Sequence, residues 1–378
     1  MLERGDHVSF ANCGLPYHVG GVIPERDRLL LQTPAALQSR FNLDVRVGHE
    51  VLAVDRAVRE VVVRRVDSGN VVREPYDVLV IATGAHPVRP DVPGAEHLLT
   101  LRDVADLDQI MAVLDGGSVD GGSVDGGSVD GGSVGGGSGE VTGRPAGGPS
   151  AAAILGGGFI GLELAENLVK RGLAVTVVEA SEQVLGPLDP EMAGPVTDHL
   201  KAAGVRVLTR ARAVRVEPDA VVLDDGRRVS AGLLVAAIGV RPESSLAAAA
   251  GLELDSRGAI LVDAQQRTSD PAIFAVGDVA SKPDAVGGGP AFVPLAQTAN
   301  RHGRVVADVV TGRPVRSRPV LGTAIVGLFG LVAATVGWNE KRLRAAGRTV
   351  ANGELRVVHT HPSHHAGYYP GARPMALK

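Results

Sequence analysis

The segment SFANCGLPYHVGG, at positions 9–21, contains Cys13, the only cysteine among 378 residues. The thiolate is the reactive form of cysteine, and the N-terminus of a helix favours it. Pro16 is tolerated in the first turn of a helix, so CGLPYHVGG can begin one. Enzymes that reduce disulfides usually carry two cysteines, one that attacks the substrate and one that resolves the mixed disulfide, and this chain has only one. Cys13 is therefore either a reactive thiol whose partner sulfur comes from another molecule, or an inert buried thiol.

A second motif, GGGFIG, contains Gly156, Gly158 and Gly161. The sequence around it predicts a strand before this glycine turn and a helix after it. Such a turn lets backbone N–H groups approach a pyrophosphate at the helix N-terminus. The next predicted strand ends at Glu179, where a carboxylate can accept hydrogen bonds from both ribose hydroxyls. The motif predicts a dinucleotide site, and Glu179 favours NADH, with NADPH as the alternative.

Three further predicted strands end at glycine or polar residues. YDVLVIATGA predicts a strand buried on both faces that ends at Thr83 and Gly84. PAIFAVGDVA predicts a short strand that ends at Gly277 and Asp278. The Asp278 carboxylate suits hydroxyl recognition, although it could instead cap a helix. LLVAAIGVRP predicts another buried strand, at whose end Gly239 lies.

The start of the chain, LERGDHVSF, looks like the end of a second ribose-binding strand, with Glu3 as the ribose ligand. By the usual spacing, at least roughly 20 residues with a first strand and glycine turn would precede Met1. We therefore expect a second nucleotide site of which the chain as written holds only a part.

The segments between these motifs predict the strands, the helix and the linker that hold the motifs in place. Alternating sequence at 45–66, 205–216 and 220–229 predicts strands, and PLAQTANRHGRVVADVVTG predicts a helix. DGGSV repeats over 115–134 and predicts a flexible linker. Segment 320–338 has 19 residues without a charge, but its four glycines and its β-branched residues favour a buried strand pair over a membrane span.

Composition narrows the class of protein. The chain is long enough for two or three globular domains, and a net charge of -4 gives no reason to expect nucleic acid as a partner. A single cysteine excludes an internal disulfide and fits a reducing compartment. MLERGDHVSF lacks the features of a secretory signal. We predict a cytoplasmic protein without nucleic-acid or membrane partners.

The motifs SFANCGLPYHVGG, ATGAHPVRPDVPG, GGGFIGLELAE, AVGDVA, PLAQTANRHGR and HPSHHAGYYPGA occur in this order. Together they resemble the pyridine nucleotide-disulfide oxidoreductases, and within that family the coenzyme A-disulfide reductases. The resemblance implies an α/β fold with two Rossmann-like dinucleotide-binding domains, for FAD and NAD(P), and a partial α+β dimerisation domain. The implied divisions are 1–110 and 269–315 for the FAD domain, 111–150 for the linker, 151–268 for the NAD(P)H domain and 316–378 for the dimerisation domain.

The same resemblance implies the residues of the site. The cofactor-binding residues would be Glu3, Thr83, Gly84, Gly156, Gly158, Ile160, Gly161, Glu179, Gly239, Gly277 and Asp278. The catalytic residues would be Cys13, Asn12, Tyr368 and Tyr369. One of the two tyrosines would lie beside the cysteine of the partner subunit in a homodimer, and the sequence leaves open which one. The substrate-binding residues would be Ser9, Asn12 and Asn300. Arg40 is a further candidate, for a coenzyme A phosphate, although a lone arginine is usually solvated. Relatives continue beyond the position of Lys378, which adds to the expectation of a shortened chain.

The resemblance also implies which molecule supplies the sulfur atom that reacts with Cys13. Cys13 would be held as a mixed disulfide with coenzyme A, so that a small-molecule disulfide substrate supplies the second sulfur atom. Two alternatives stay open. Cys13 could cycle through a sulfenic acid, as in NADH oxidases and peroxidases. The chain could also be an inactive remnant that binds NADH without FAD.

Histidines suggest two further interpretations. His18 lies five residues after Cys13, where an acid or base could act, but a packing role is favoured. Four histidines in HTHPSHHAGYY invite a metal site, namely His359, His361, His364 and His365. A metal needs convergent ligands, which spacing alone does not show, and we expect no metal.

Overall fold

A computed structural model describes residues 1–117 and 147–378 of the chain. The predicted DGGSV linker therefore lies mostly outside the described residues. The first described part holds seven strands and three α-helices, besides short 3-10 helices. The strands are β1 Ser9–Phe10, β2 Leu30–Gln32, β3 His49–Asp55, β4 Glu60–Arg65, β5 Val71–Pro75, β6 Leu79–Ile81 and β7 Ala85–Pro87, and the helices are α1 Leu15–Val19, α2 Pro34–Phe41 and α3 Val104–Leu114.

The second described part begins with a parallel sheet and continues through antiparallel pairs. Its strands are β8 Ala151–Leu155, β9 Ala174–Val178, β10 Arg206–Leu208, β11 Ala213–Glu217, β12 Ala220–Leu223, β13 Arg228–Ser230, β14 Leu233–Ala236, β15 Val240–Pro242, β16 Ile273–Ala275, β17 Lys282–Pro283, β18 Pro290–Ala291, β19 Ala324–Leu328 and β20 Leu331–Thr335. Its helices are α4 Phe159–Lys170, α5 Pro190–Ala202, α6 Ser245–Ala249, α7 Ala296–Val310 and α8 Glu340–Ala345.

The dinucleotide motif lies on a four-stranded parallel sheet of order β10-β9-β8-β14. Helix α4 follows β8 and returns the chain to β9, which is the βαβ arrangement that the glycine turn predicts. All four residues of β14 are buried, as predicted for LLVAAIGVRP. An antiparallel sheet, β11-β12-β13, lies next to it in sequence.

The second parallel pair, β6 and β16, carries the turns at Gly84 and Gly277. Here the prediction of a strand buried on both faces is wrong. Strand β6 has only three residues, and Val80 is 43% exposed while Ile81 is 3% exposed. Ile81 and Leu79 pack in one apolar cluster, whereas Val80, on the opposite face of the strand, is open to solvent. The antiparallel strands β3-β4-β5 fulfil the prediction for 45–66.

The apolar segment 320–338 forms the antiparallel hairpin β19–β20, so the predicted strand pair is confirmed. Burial is confirmed for one face only. Val326 and Leu328 are 2% and 1% exposed, whereas Ile325 and Val332 are 71% and 63% exposed. Within 1–117 and 147–378, no helix combines the length and the apolar character needed to cross a membrane.

The largest core joins the two ends of the described chain. It contains Leu15 of α1, Ile110 of α3, Leu164 of α4 and Val326 of the hairpin. Helix α3 continues to Leu114, inside the range predicted as linker, because Leu114 is buried against this core. The cysteine-bearing segment is thus packed directly on the helix of the dinucleotide motif.

Candidate functional site

Cys13 lies in the 3-10 helix Asn12–Gly14, immediately before α1. Its thiol is free and exposed, which contradicts the alternative of an inert buried cysteine. The backbone around it is firmly packed, because Leu15 is 1% exposed. A Cβ atom at Gly14 would lie 2.7 Å from a methyl group of Leu29, so this position requires glycine unless Leu29 moves. The sequence thus presents an accessible thiol on a fixed support.

Arg102 connects the cysteine motif to the turns at the ends of β6 and β16. Asn12 Nδ2 donates to the Arg102 carbonyl oxygen at 2.8 Å. The guanidinium group donates to the Ala85 carbonyl oxygen at 2.9 Å and to the Asp278 carboxylate at 3.2 Å. One residue that the sequence analysis missed therefore joins Asn12, the segment after Gly84 and Asp278.

Both turns need a backbone conformation that glycine adopts readily. Gly84 has φ +72° and Gly277 has φ +75°, both in the left-handed region. The turn at Gly84 is fixed by Thr83 Oγ1, which donates to the Glu243 carbonyl oxygen at 2.5 Å. The Glu243 N–H in turn donates to the Gly84 carbonyl oxygen at 2.9 Å. The predicted FAD turns therefore lie together, with Arg102 between them.

These groups fit FAD, the flavin cofactor that the sequence resemblance implies. The Asp278 carboxylate can accept hydrogen bonds from the ribityl hydroxyls, and its side chain is 15% exposed beside the Arg102 guanidinium. A Cβ atom at Gly84 would lie 3.4 Å from Arg102 Nη2, so the bare turn leaves space next to a cation. Glu3, the predicted ribose ligand, accepts from the Gly5 N–H at 2.7 Å.

The glycine turn after β8 has the geometry that dinucleotide binding requires. A Cβ atom at Gly156 would lie 2.3 Å from the Ala237 carbonyl oxygen, and one at Gly161 would lie 2.2 Å from the Gly156 carbonyl oxygen. A Cβ atom at Gly158 would meet nothing within 4 Å, so the helix N-terminus is open where a pyrophosphate would bind. Ile160, in the first turn of α4, is 39% exposed.

Glu179 directly follows β9 and lies beside the glycine turn. Its carboxylate accepts from the Gly157 N–H and from the Ser181 N–H, each at 2.7 Å. Gly239, after β14, has φ +115° and open space around it. The structure therefore brings together the glycine turn and Glu179, and it places Gly239 at the end of the neighbouring strand.

Helix α1 and helix α4 meet through polar groups as well as through the core. Tyr17 donates from its hydroxyl group to Glu163 Oε1 at 3.2 Å. Burial raises the pKa of Glu163, and burial together with Glu163 raises the pKa of Tyr17 to about 12. A Cβ atom at Gly20 would lie 2.1 Å from Asn167 Oδ1, so a glycine is needed where the two helices approach. The cysteine motif is therefore coupled to the dinucleotide helix.

For the other predicted site residues, the structure shows contacts with their own neighbours rather than with the cofactor turns. Ser9 pairs with Gln32 in the short ladder β1–β2 beside the cysteine motif. Arg40 is exposed at the end of α2, where its guanidinium stacks on Phe41 at 5.0 Å. Asn300 is an exposed residue of α7. His18 Nδ1 donates to the Ile23 carbonyl oxygen at 2.7 Å, which places its ring in a structural contact.

The C-terminal tyrosines and histidines form a separate exposed group. Tyr368 is 91% exposed and Tyr369 is 55% exposed. The Tyr369 ring stacks on His365 at 4.7 Å, and His365 on His364 at 4.6 Å. Within the described residues, the ring contact of Tyr369 is with His365 and not with the cysteine motif.

Acidic residues rather than histidines converge in the part of the chain that the structure describes. Carboxylate oxygens of Asp189, Glu191 and Glu340 lie within 4.8 Å of one another. Lys378 Nζ lies 3.0 Å from Asp189 and 2.5 Å from each glutamate, so one ammonium group already forms ion pairs with all three carboxylates. The cluster is an ion-pair network between α5, α8 and the C-terminal segment.

Comparison with known proteins identifies the class. A family model described as pyridine nucleotide-disulphide oxidoreductase matches residues 1–303, and the chain belongs to this family. Coenzyme A disulfide reductases of Staphylococcus haemolyticus (strain JCSC1435) and Staphylococcus aureus (strain bovine RF122 / ET3-1) are 28% and 27% identical to it. Each match covers 100% of this chain and 78% of the relative.

Two solved structures are similar over almost the whole chain. Reduced Bacillus anthracis CoADR-RHD is 40% identical with a TM-score of 0.88, and the match covers 100% of this chain and 62% of that one. A NAD-dependent persulfide reductase from A. fulgidus is 32% identical with a TM-score of 0.87, covering 99% of this chain and 64% of that one. The chain thus spans less than two thirds of either solved chain. The predicted α/β class with Rossmann-like FAD and NAD domains is confirmed, as is the resemblance to the coenzyme A-disulfide reductases.

Proposed function

We propose that this chain reduces coenzyme A disulfide with NADH through Cys13. The observation that carries the proposal is an exposed, solitary thiol, linked by Asn12 and Arg102 to Asp278 of the candidate FAD turn. The names of the relatives support the substrate class. FAD, when bound, would carry electrons between the nicotinamide and the sulfur.

The residues of the chain would act in two exchanges. The Cys13 thiolate attacks one sulfur of the substrate, so the substrate S–S bond breaks and a bond from Cys13 Sγ to one coenzyme A sulfur forms. The other coenzyme A leaves as a thiolate and takes a proton from solvent. The hydride of NADH then supplies the two electrons and the proton that release the second coenzyme A thiol and return the Cys13 thiolate.

We infer NADH rather than NADPH from the surroundings of Glu179. Its carboxylate is fixed by two backbone N–H groups, so it would stay beside the ribose and repel a 2′-phosphate. Titrating the chain with each nucleotide tests the preference. Tighter binding of NADH supports it, and equal or tighter binding of NADPH contradicts it.

A persulfide is the second candidate substrate, because a relative of 32% identity is a NAD-dependent persulfide reductase. An assay of the purified chain with NADH and FAD separates the substrates. Two free thiols per NADH with coenzyme A disulfide would support the first proposal. Turnover only with a persulfide would favour the second, and turnover only with peroxide would favour the sulfenic acid alternative. A chain that binds NADH but stays colourless with added FAD would favour the inactive remnant.

We also propose a homodimer formed through the C-terminal part of the chain. The outward face of the hairpin β19–β20 is apolar and uncovered, with Ile325 and Val332 exposed by 71% and 63%. Exposed apolar patches of this kind mark interaction surfaces. Sedimentation of the wild type and of Ile325→Asp tests the proposal. A wild-type dimer that the substitution converts to a monomer supports it, and a wild-type monomer contradicts it.

A further inference from the structure

Two buried polar side chains beneath the Asp278 turn have no part in the proposed reaction. Lys282, at the start of β17, is 1% exposed, and His302, in the middle of α7, is 2% exposed. Helix α7 packs against the 3-10 turn Gly277–Val279 that carries Asp278. Buried lysines are rare because the ammonium group loses its hydration. The presence of one under a candidate cofactor turn therefore calls for a physical reason.

Lys282 holds the turn at two points. Its Nζ atom donates to the Gly277 carbonyl oxygen at 2.7 Å and to the Ala280 carbonyl oxygen at 2.8 Å. The Gly277 carbonyl group immediately precedes Asp278 and the Ala280 carbonyl group lies two residues after it, so the ammonium group ties together the backbone before and after the carboxylate-bearing residue. On the open side, Arg102 donates to the carboxylate itself. Asp278 is thus held between a cation beneath the turn and a cation above it.

Burial and the neighbouring charged groups together set the protonation of Lys282. Burial lowers the pKa of Lys282 to about 8, while the carboxylates of Asp278 and Asp255 act in the opposite direction. Burial and the neighbouring Lys282 lower the pKa of His302 to about 4, and His302 Nδ1 has no hydrogen-bond partner among the described residues. An uncharged imidazole therefore faces Lys282 from α7 at neutral pH, so that the ammonium group meets no second cation there.

We propose that Lys282 is a positioning residue of the FAD site, whose buried ammonium group fixes the turn Gly277–Val279 and thereby the Asp278 carboxylate that would hold the ribityl hydroxyls. The inference rests on the proposed use of FAD. Charge-assisted hydrogen bonds are about twice as strong as neutral ones, so loss of the proton weakens the support without removing it. FAD affinity should therefore depend on the protonation of Lys282.

Titration of the flavin-free full chain with FAD, followed by flavin fluorescence, tests this role. At about pH 7, Lys282→Met should bind FAD roughly tenfold to a hundredfold more weakly than wild type, since it loses hydrogen bonds from a charged group. The wild-type affinity should fall as the pH rises through the Lys282 pKa of about 8. Lys282→Arg keeps its charge at high pH and should bind FAD without this fall. Lys201→Met, at an exposed position of α5, is the matched control and should behave as wild type.

The outcomes separate this inference from the proposed function. If wild type binds FAD and Lys282→Met binds it equally well, the positioning role is wrong and the use of FAD stands. If wild type binds no FAD at any pH, the proposed use of FAD is wrong, and the proposed role of Lys282 is then wrong as well. Thermal unfolding of each flavin-free variant shows whether it folds. If Lys282→Met fails to fold, the Lys282→Arg variant provides the test. If this variant loses FAD affinity above about pH 8 as much as wild type does, the inference is overturned.

Discussion

At the scale of single residues, the site depends on contacts between groups that are distant in the sequence. Cys13 supplies the sulfur, and Asn12 beside it hydrogen-bonds to Arg102, 90 residues further on. Arg102 then reaches Asp278. The side chain of Arg102 is 29% exposed, so it lies partly shielded between the turns rather than on the open surface. Its backbone carbonyl accepts from Asn12 while its guanidinium group donates to Ala85 and Asp278, so Arg102 sets the relative position of the cysteine motif and the candidate cofactor turns.

Replacement of Arg102 should therefore weaken the site more than the fold. Arg102→Met removes hydrogen bonds to the Ala85 carbonyl and to the Asp278 carboxylate. We expect about a tenfold or greater loss of FAD affinity and of thiol release, because charged hydrogen bonds contribute about 1.5–3 kcal/mol. Arg102→Lys should recover part of the loss. Arg257→Met, at an exposed position, is the control, and equal FAD affinity in Arg102→Met and in this control would contradict the role.

His302 should make the protein sensitive to acid. Its pKa lies at about 4 in the folded chain and near 6.5 when unfolded, so the unfolded state binds its proton first. The free energy of unfolding is then fully retained above about pH 6.5 and falls by about 3 kcal/mol as the pH drops through this window towards 4. Denaturant unfolding between these pH values should show a smaller fall for His302→Leu. An identical pH dependence in both proteins would contradict the prediction.

At the scale of elements, the glycine turn before α4 allows a prediction with a built-in control. A Cβ atom at Gly161 would lie 2.2 Å from the Gly156 carbonyl oxygen, whereas one at Gly158 would meet nothing within 4 Å. Gly161→Ala should therefore lower the melting temperature as well as NADH affinity. Gly158→Ala should leave the melting temperature close to that of wild type and weaken NADH binding, since its methyl group would point at the pyrophosphate position. Equal destabilisation by both substitutions would show that the turn is assigned wrongly.

The sequence predicts an element well when nearby residues determine its conformation. It does not predict burial or contacts that depend on residues far away along the chain. The strand, turn and helix around Gly156 follow from nearby glycines and apolar periodicity, and the short helix after Cys13 follows from Pro16. The exposed face of β6 was missed, because an apolar run does not show whether another layer of the fold packs against each face of the strand. Arg102, Lys282 and His302 were missed for a related reason. Each acts through contacts that no spacing along the chain reveals.

At the scale of the whole molecule, the two described parts of the chain meet at the ends of the undescribed segment. A Cβ atom at Gly116 would lie 3.3 Å from the backbone carbonyl carbon of Gly147. The ends at 117 and 147 can therefore be joined by a short loop. We expect deletion of residues 118–146 to leave NADH affinity and melting temperature unchanged within error. A large loss of NADH affinity in calorimetric titration would show that the segment contributes to the nucleotide site.

The whole account depends on one sulfur atom, and replacing it gives the most direct measurement. The wild-type protein loaded with FAD would be compared with its Cys13→Ser variant for release of free coenzyme A thiol from coenzyme A disulfide in the presence of NADH. We predict two thiols per NADH for the wild type and a loss of at least about a thousandfold for the variant, since the hydroxyl group cannot form the mixed disulfide. Nucleotide affinity should be equal in both proteins. Thiol release by Cys13→Ser at the wild-type rate would contradict the account.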